Sequence, residues 1–180
     1  MNTIIKTFTK IFIFTSIPFG FFMYIQALIF NNAEPSIALY IVIGLVFGLF
    51  MSLFMTILDF QSKKSIGEGK SNGVHKKGTI EVPLPEDEVF KLCRDAGSVL
   101  KGAKVRHENQ QKGLLIIRTG INWKTWGDII EIVVEDIDAN HTRVFIQSRP
   151  VVPTTLVDYG KNYENIKRII GYIEKENLSI

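Results

Sequence analysis

The stretch Ser36–Leu58, SIALYIVIGLVFGLFMSLFMTIL, limits this chain more than any other feature, because it is apolar and carries no charge. Wound as a helix rising about 1.5 Å per residue, it is long enough to cross the hydrocarbon core of a bilayer. A second uncharged run, Ile11–Phe30, precedes it. Pro18 and Gly20 within that run would weaken a soluble helix but are tolerated in membrane spans. Only Asn31–Pro35 separates the runs, so spans over about residues 11–30 and 36–58 must form a tight hairpin with both chain ends on one side.

Charge says which side. The turn has no Lys or Arg, whereas Lys6 and Lys10 precede the first span and Lys63, Lys64, Lys70, Lys76 and Lys77 follow the second. The positive-inside rule then predicts a multi-pass protein of the cell membrane with both termini cytoplasmic. A secretory signal peptide over residues 1–33 fits less well, because its apolar core is too long and Asn31-Asn32-Ala33 is a poor cleavage site.

Gly44, Gly48 and Ser52 recur every four residues on one helix face, and Ser16 and Gly20 repeat the spacing in the first span. Small residues at this interval let a second backbone approach closely. The favoured expectation is that the two spans pack on each other through these five residues. A homodimer seam, or a dock for another membrane protein, is the alternative.

Composition divides the chain at the same places. Eleven of the 13 Phe lie within residues 1–60, and residues 1–59 are expected to form the transmembrane hairpin. Residues 60–78 hold five Lys and one Glu among Gly and Ser. Such a segment cannot bury a core and is expected to be a flexible tether whose lysines favour an anionic leaflet. Residues 79–180 carry 14 basic and 15 acidic residues. A domain without a concentrated basic excess is a poor nucleic-acid binder, so no nucleic-acid partner is expected.

The pattern in 79–180 predicts a cytoplasmic α+β domain. Thr79–Val82 alternates as a short strand, and Pro85 followed by Glu86, Asp87 and Glu88 starts a helix that ends at Gly102. Val105–Glu108, Gly113–Arg118, Asp128–Asp136 and Thr142–Arg149 read as four strands with short, antiparallel connections. Val157–Glu174 reads as a final helix with Tyr159, Ile166, Ile169, Ile170 and Ile173 on its apolar stripe. The order β-α-β-β-β-β-α implies an antiparallel sheet with helices packed on one face. At the level of element order, this resembles the helix-grip and TBP-like arrangements, in which a curved sheet cradles a helix.

Chemistry-bearing residues are few. The loop Thr119–Gly127, TGINWKTWG, carries Trp123 and Trp126 with Lys124 between them. Two tryptophans there either cap the sheet's core, touch a membrane interface or line a ligand rim, and Lys124 suits an anionic headgroup. Asp158 is a candidate N-cap for the last helix, whose first turn can take an anion on its backbone N–H groups. Lys161, Asn162 and Arg149 are the candidate anion ligands. Asn162 and Asn165 fall on or beside the apolar stripe and need buried partners, so a polar network fixing the preceding loop is the plainer expectation.

The only cysteine, Cys93, lies on an apolar helix face and reads as core. No His spacing, paired Cys, P-loop, GxSxG or dinucleotide-binding glycine motif occurs, so neither a metal nor a cofactor is called for and no catalytic residue is assigned. The expectation is a membrane-anchored, non-catalytic binding or accessory protein whose domain takes a lipid or other amphiphile at the membrane surface. A regulatory, assembly or immunity-type protein that binds a membrane protein partner is the alternative. A membrane-tethered enzyme comes third.

Overall fold

The computed structural model describes residues 3–30, 35–67 and 73–178. The chain divides into two compact units, Met1–Asn72 and Gly73–Ile180. Most of the expected turn, Asn31–Glu34, and Glu68–Asn72 of the expected tether lie outside the described residues.

The first unit is two helices, α1 (Thr3–Phe30) and α2 (Ile37–Ser65), each long and apolar enough to cross a membrane. Ser16 and Gly20 of α1 and Gly44, Gly48 and Ser52 of α2 are buried. The backbones meet at these residues: a Cβ on Gly44 would lie 2.6 Å from the Ser16 carbonyl oxygen, and one on Gly20 would lie 2.8 Å from that of Tyr40. The rings of Phe19 and Phe47 stack beside this seam with centroids 3.8 Å apart. The small-residue stripe is thus occupied within one chain. α2 ends with Lys63 and Lys64 in its last turn, where cations complement the helix dipole, and Lys63 bonds Asp59 at 2.7 Å.

The second unit is an antiparallel five-stranded sheet with two helices on one face. Its elements are β1 (Lys76–Val82), α3 (Glu86–Ala96), β2 (Lys104–Asn109), β3 (Leu114–Arg118), β4 (Asp128–Asp138), β5 (His141–Pro150) and α4 (Lys161–Asn177). The strand order is β1-β5-β4-β3-β2. Alternation decides the faces: Leu115, Ile117, Ile130, Ile132, Val134, Val144 and Ile146 point into the core. Val89, Phe90, Cys93 and Ala96 of α3 meet them, as do Ile166, Ile169 and Ile173 of α4. Burial pushes the Cys93 thiol up to about 12, so it stays a protonated core side chain.

Several boundaries differ from the sequence reading; α3, for one, ends at Ala96 and gives way to a tighter turn over Gly97–Val99 instead of running to Gly102. α2 continues to Ser65 and β1 begins at Lys76, so regular structure takes in both ends of the Lys-rich segment. α4 begins at Lys161 rather than Val157, because Tyr159 (φ 50°) and Gly160 (φ 71°) are left-handed and cannot continue a right-handed helix. Tyr159 therefore precedes the helix instead of belonging to its stripe.

Candidate functional site

Loop Thr119–Gly127 joins β3 to β4 and is held by its own polar groups. The Asn122 carboxamide oxygen accepts from the backbone N–H of Lys124 (2.8 Å) and Thr125 (3.0 Å), and Asn122 N–H donates to the Thr125 carbonyl (2.9 Å). Asn122 Nδ2 also donates to Thr125 Oγ1 at 3.2 Å. Asp128 N–H donates to Thr119 Oγ1 at 2.8 Å, which closes the base. Gly127 has φ 98°, and a Cβ there would lie 2.8 Å from the Thr119 carbonyl oxygen, so both backbone and space demand glycine. These bonds are Asx-type turn chemistry and leave the loop little freedom.

So fixed, the loop turns its apolar side chains outward. Ile121, Trp123 and Trp126 are 72 %, 75 % and 70 % exposed. The tryptophans therefore do not cap the core, which α3 and α4 already cover. Trp123 leans on Tyr159 with ring centroids 5.7 Å apart, and Lys124 Nζ sits 5.5 Å from the Trp123 centroid, within cation–π range.

Below the loop, the start of α4 meets the ends of β4 and β5 in a buried polar network. The Asp158 carboxylate accepts from Gly160 N–H (3.2 Å), Asn162 N–H (3.1 Å) and Asn162 Nδ2 (2.9 Å). Asn162 Oδ1 accepts from Ser148 Oγ at 2.7 Å, and Asn165 Nδ2 donates to Ser148 Oγ (3.2 Å) and Asp128 Oδ2 (3.0 Å). Asp128, Ser148, Asp158, Asn162 and Asn165 are fully buried. The N-cap residue is Gly160, and Asp158 caps the helix from two positions further back. The anion at this helix start is thus the protein's own carboxylate.

Lys124 and Lys161 do not stand free. Glu164 takes Arg168 at 2.7 Å, Lys124 at 3.3 Å and Lys161 at 3.8 Å. Burial raises the Glu164 carboxyl, but Lys161, Lys124 and Arg168 together hold it below its ordinary value. Burial lowers the Lys161 ammonium; Arg168 and Lys124 add to this, while Glu164 and Asp128 oppose it. Arg149 is separated from this group. Ser148 and Pro150 beside it face the helices, so alternation turns Arg149 to the open side of the sheet. The structure does not bring Lys161, Asn162 and Arg149 together: one is ion-paired, one is buried, and the third is across the sheet.

Asp128, Ser148, Glu164 and Arg168 are members of these networks that the sequence reading did not assign to a site. Asp128 and Ser148 carry a usable signal, since each is the polar residue in an inward-facing apolar series, before Ile130, Ile132 and Val134 and after Val144 and Ile146. Asp128 also titrates with a consequence. Burial raises its carboxyl above the usual range; Asn165, Thr125 and Lys161 oppose this, and Asp158 adds to it. A carboxyl raised in the folded state favours the protonated fold. Its contribution is full below the unfolded value and is lost as pH rises through the folded one. Asp128→Asn, which removes the buried charge at equal shape, is expected to raise the melting temperature at neutral pH by a few degrees. It should also flatten the stability profile across the acid range, as read by calorimetry at stepped pH.

No family model matches the sequence, and no curated protein matches it. Solved structures similar to the chain include an uncharacterised protein from Bacillus thuringiensis, with 10 % identity over 58 % of this chain and 98 % of that one, at a TM-score of 0.45. The Zhui aromatase/cyclase from Streptomyces sp. R1128 is similar at 10 % identity over 57 % of this chain and 92 % of that one, with a TM-score of 0.44. The protein XoxI from Bacillus cereus gives 10 %, 59 %, 96 % and 0.46 for the same quantities.

Proposed function

We propose that the chain is a bilayer-anchored, non-catalytic binding protein whose second unit engages lipid at the membrane surface through Ile121, Trp123 and Trp126. The observation that carries this reading is a hydrogen-bonded loop that holds two tryptophans and an isoleucine in solvent. Exposing that much apolar area without an occupant wastes hydrophobic free energy, and Trp is enriched at membrane interfaces.

In this reading, α1 and α2 cross the bilayer, and the lysines after α2 keep both termini cytoplasmic. The connection after α2 is short in sequence, and a short tether of this kind keeps a domain at high local concentration near its target. A lipid enclosed within the domain is the weaker reading, because the apolar side chains of the sheet and of both helices pack together in one cluster. The proposed ligand is the surface of the bilayer.

Trp123 and Trp126 are the only tryptophans in the chain, so they report on themselves. Full-length protein in nanodiscs whose lipids are brominated near the headgroup end of the acyl chain should show quenched, blue-shifted emission. Trp126→Ser should leave stability within about 0.5 kcal/mol of the parent, since the side chain is exposed, yet reduce quenching of the remaining Trp123. Unquenched, water-like emission from the parent protein would sink the reading. A protein partner that takes the same three side chains would then be the occupant to seek.

A further inference from the structure

We infer that the open face of the sheet carries, beside the aromatic loop, a receptor surface for anionic lipid headgroups made of Lys104, Arg118 and Arg149. The inference rests on the loop's being the membrane-facing end of the domain.

Register puts the three cations in one row. Lys104 pairs with Arg118, Arg118 with Ile129, and Ile129 with Arg149. Leu115 and Ile117 of β3 point into the core, so Arg118 and its row partners point the other way. At about 4.8 Å per strand, the row spans roughly 14 Å. Arg118 is the last residue of β3, and Asp128, next to Ile129, is the first of β4. The row therefore lies at the end of the sheet where loop Thr119–Gly127 emerges, with Ile129 extending the apolar surface among the charges.

Its electrostatics are unusual for a surface kept only for solubility. Like charges directly opposite across strands are destabilising, and Lys104 faces Arg118. Among the described residues, none of the three cations has an ion pair. Further along β5 a cation is paired across strands: Arg143 bonds Glu81 of β1 at 2.8 Å. On the helix side, Lys124, Lys161 and Arg168 are absorbed by Glu164. By register, Glu131 is the first carboxylate met on the open face. It lies one row further from the loop, opposite Ile116 and Gln147, and makes no ion pair with the three. An uncompensated basic row beside exposed Ile121, Trp123 and Trp126 is the pairing of charge and apolar area that an anionic interface recognises. Each such cation strengthens attraction to an anionic leaflet roughly five-fold, so the three together are expected to contribute on the order of 100-fold to the ratio of docked to undocked domain.

The experiment compares full-length protein in nanodiscs of brominated phosphatidylcholine alone and in the same lipid mixed with phosphatidylglycerol. Tryptophan quenching should be larger in the mixture and should fall toward the phosphatidylcholine level in high salt. The triple variant Lys104→Gln, Arg118→Gln, Arg149→Gln should lose the difference between the two lipids. Lys112→Gln, at the far end of the sheet, should keep it. Arg118→Gln alone should lose part of it without lowering the melting temperature, because it relieves the repulsion with Lys104, and this variant serves if the triple one fails to fold. Equal quenching of the parent in both lipids overturns the inference and leaves the loop reading standing. No quenching in either lipid overturns both. Release by inorganic phosphate beyond that caused by chloride at equal ionic strength overturns the lipid assignment in favour of a soluble-phosphate site.

Discussion

Asp158→Ala is expected to destabilise the second unit by about 3–4 kcal/mol, lowering its melting temperature by roughly 15 °C. The carboxylate accepts three hydrogen bonds in full burial, two of them from backbone N–H groups at the start of α4. Removing it leaves Gly160 N–H, Asn162 N–H and Asn162 Nδ2 without an acceptor in a region closed to water, where each orphaned donor costs about 1–3 kcal/mol before relaxation. The same bonds hold Tyr159 and Gly160 in left-handed backbone, and for a tyrosine that geometry itself costs about 1 kcal/mol or more. Asp158→Asn keeps two acceptor positions at most and should lose about half as much. Denaturant unfolding followed by circular dichroism measures both. In a Trp126→Ser background, Trp123 emission should shift at lower denaturant in Asp158→Ala than the global transition, because Trp123 rests on Tyr159. A loss below about 1 kcal/mol would mean that the network is solvated and that Asp158 does not set the start of α4.

The element order of the second unit was legible because each strand obeys a two-residue period and each helix a period near 3.6, and those periods come from the residues themselves. The start of α4 was not legible to the residue. Tyr159 falls on the apolar stripe by spacing, and only the backbone conformation at Tyr159 and Gly160 reveals that the helix has not begun. Asn162 and Asn165 announced themselves as polar residues on an apolar face. Their partners Asp128 and Ser148 lie 37 and 17 residues from Asn165, and strand register, which local sequence does not encode, decides that they meet. Arg149 shows the opposite failure: it is near Lys161 in the sequence, but the pleat sends it to the far face. The tryptophans were legible as a feature and not as a position, since a Gly-bounded loop can fold inward or outward. The Asn122 and Thr125 bonds that turn it outward depend on loop geometry.

In the first unit, Gly44→Val is expected to cost the hairpin about 3 kcal/mol, at the upper end for overpacking. The reason is which atoms a new side chain would meet. At Gly44 they are the Ser16 carbonyl oxygen at 2.6 Å and Gly20 Cα at 3.0 Å, both backbone, which no rotamer change can move aside. The helices must separate along the seam and forfeit close packing, which in the proposed bilayer setting would be the main attraction between them. Gly48→Ala differs, because its Cβ runs first into the Ser16 side chain. Ser16→Gly should therefore restore part of the loss at Gly48, where Ser16 Cα still stands 3.0 Å from the new Cβ, and none of it at Gly44. The stacked rings of Phe19 and Phe47 offer the measurement. With Phe19→Cys and Phe47→Cys introduced in the full chain, oxidation in membranes should form an intrachain disulfide readily in the parent and far more slowly in Gly44→Val. Cys93, buried in the other unit with its thiol pushed up to about 12, should not interfere. Equal cross-linking in parent and variant would show that the seam does not depend on Gly44. A cross-link found mainly between chains would instead assign the small-residue stripe to a dimer, and the five small residues would then be an intermolecular interface.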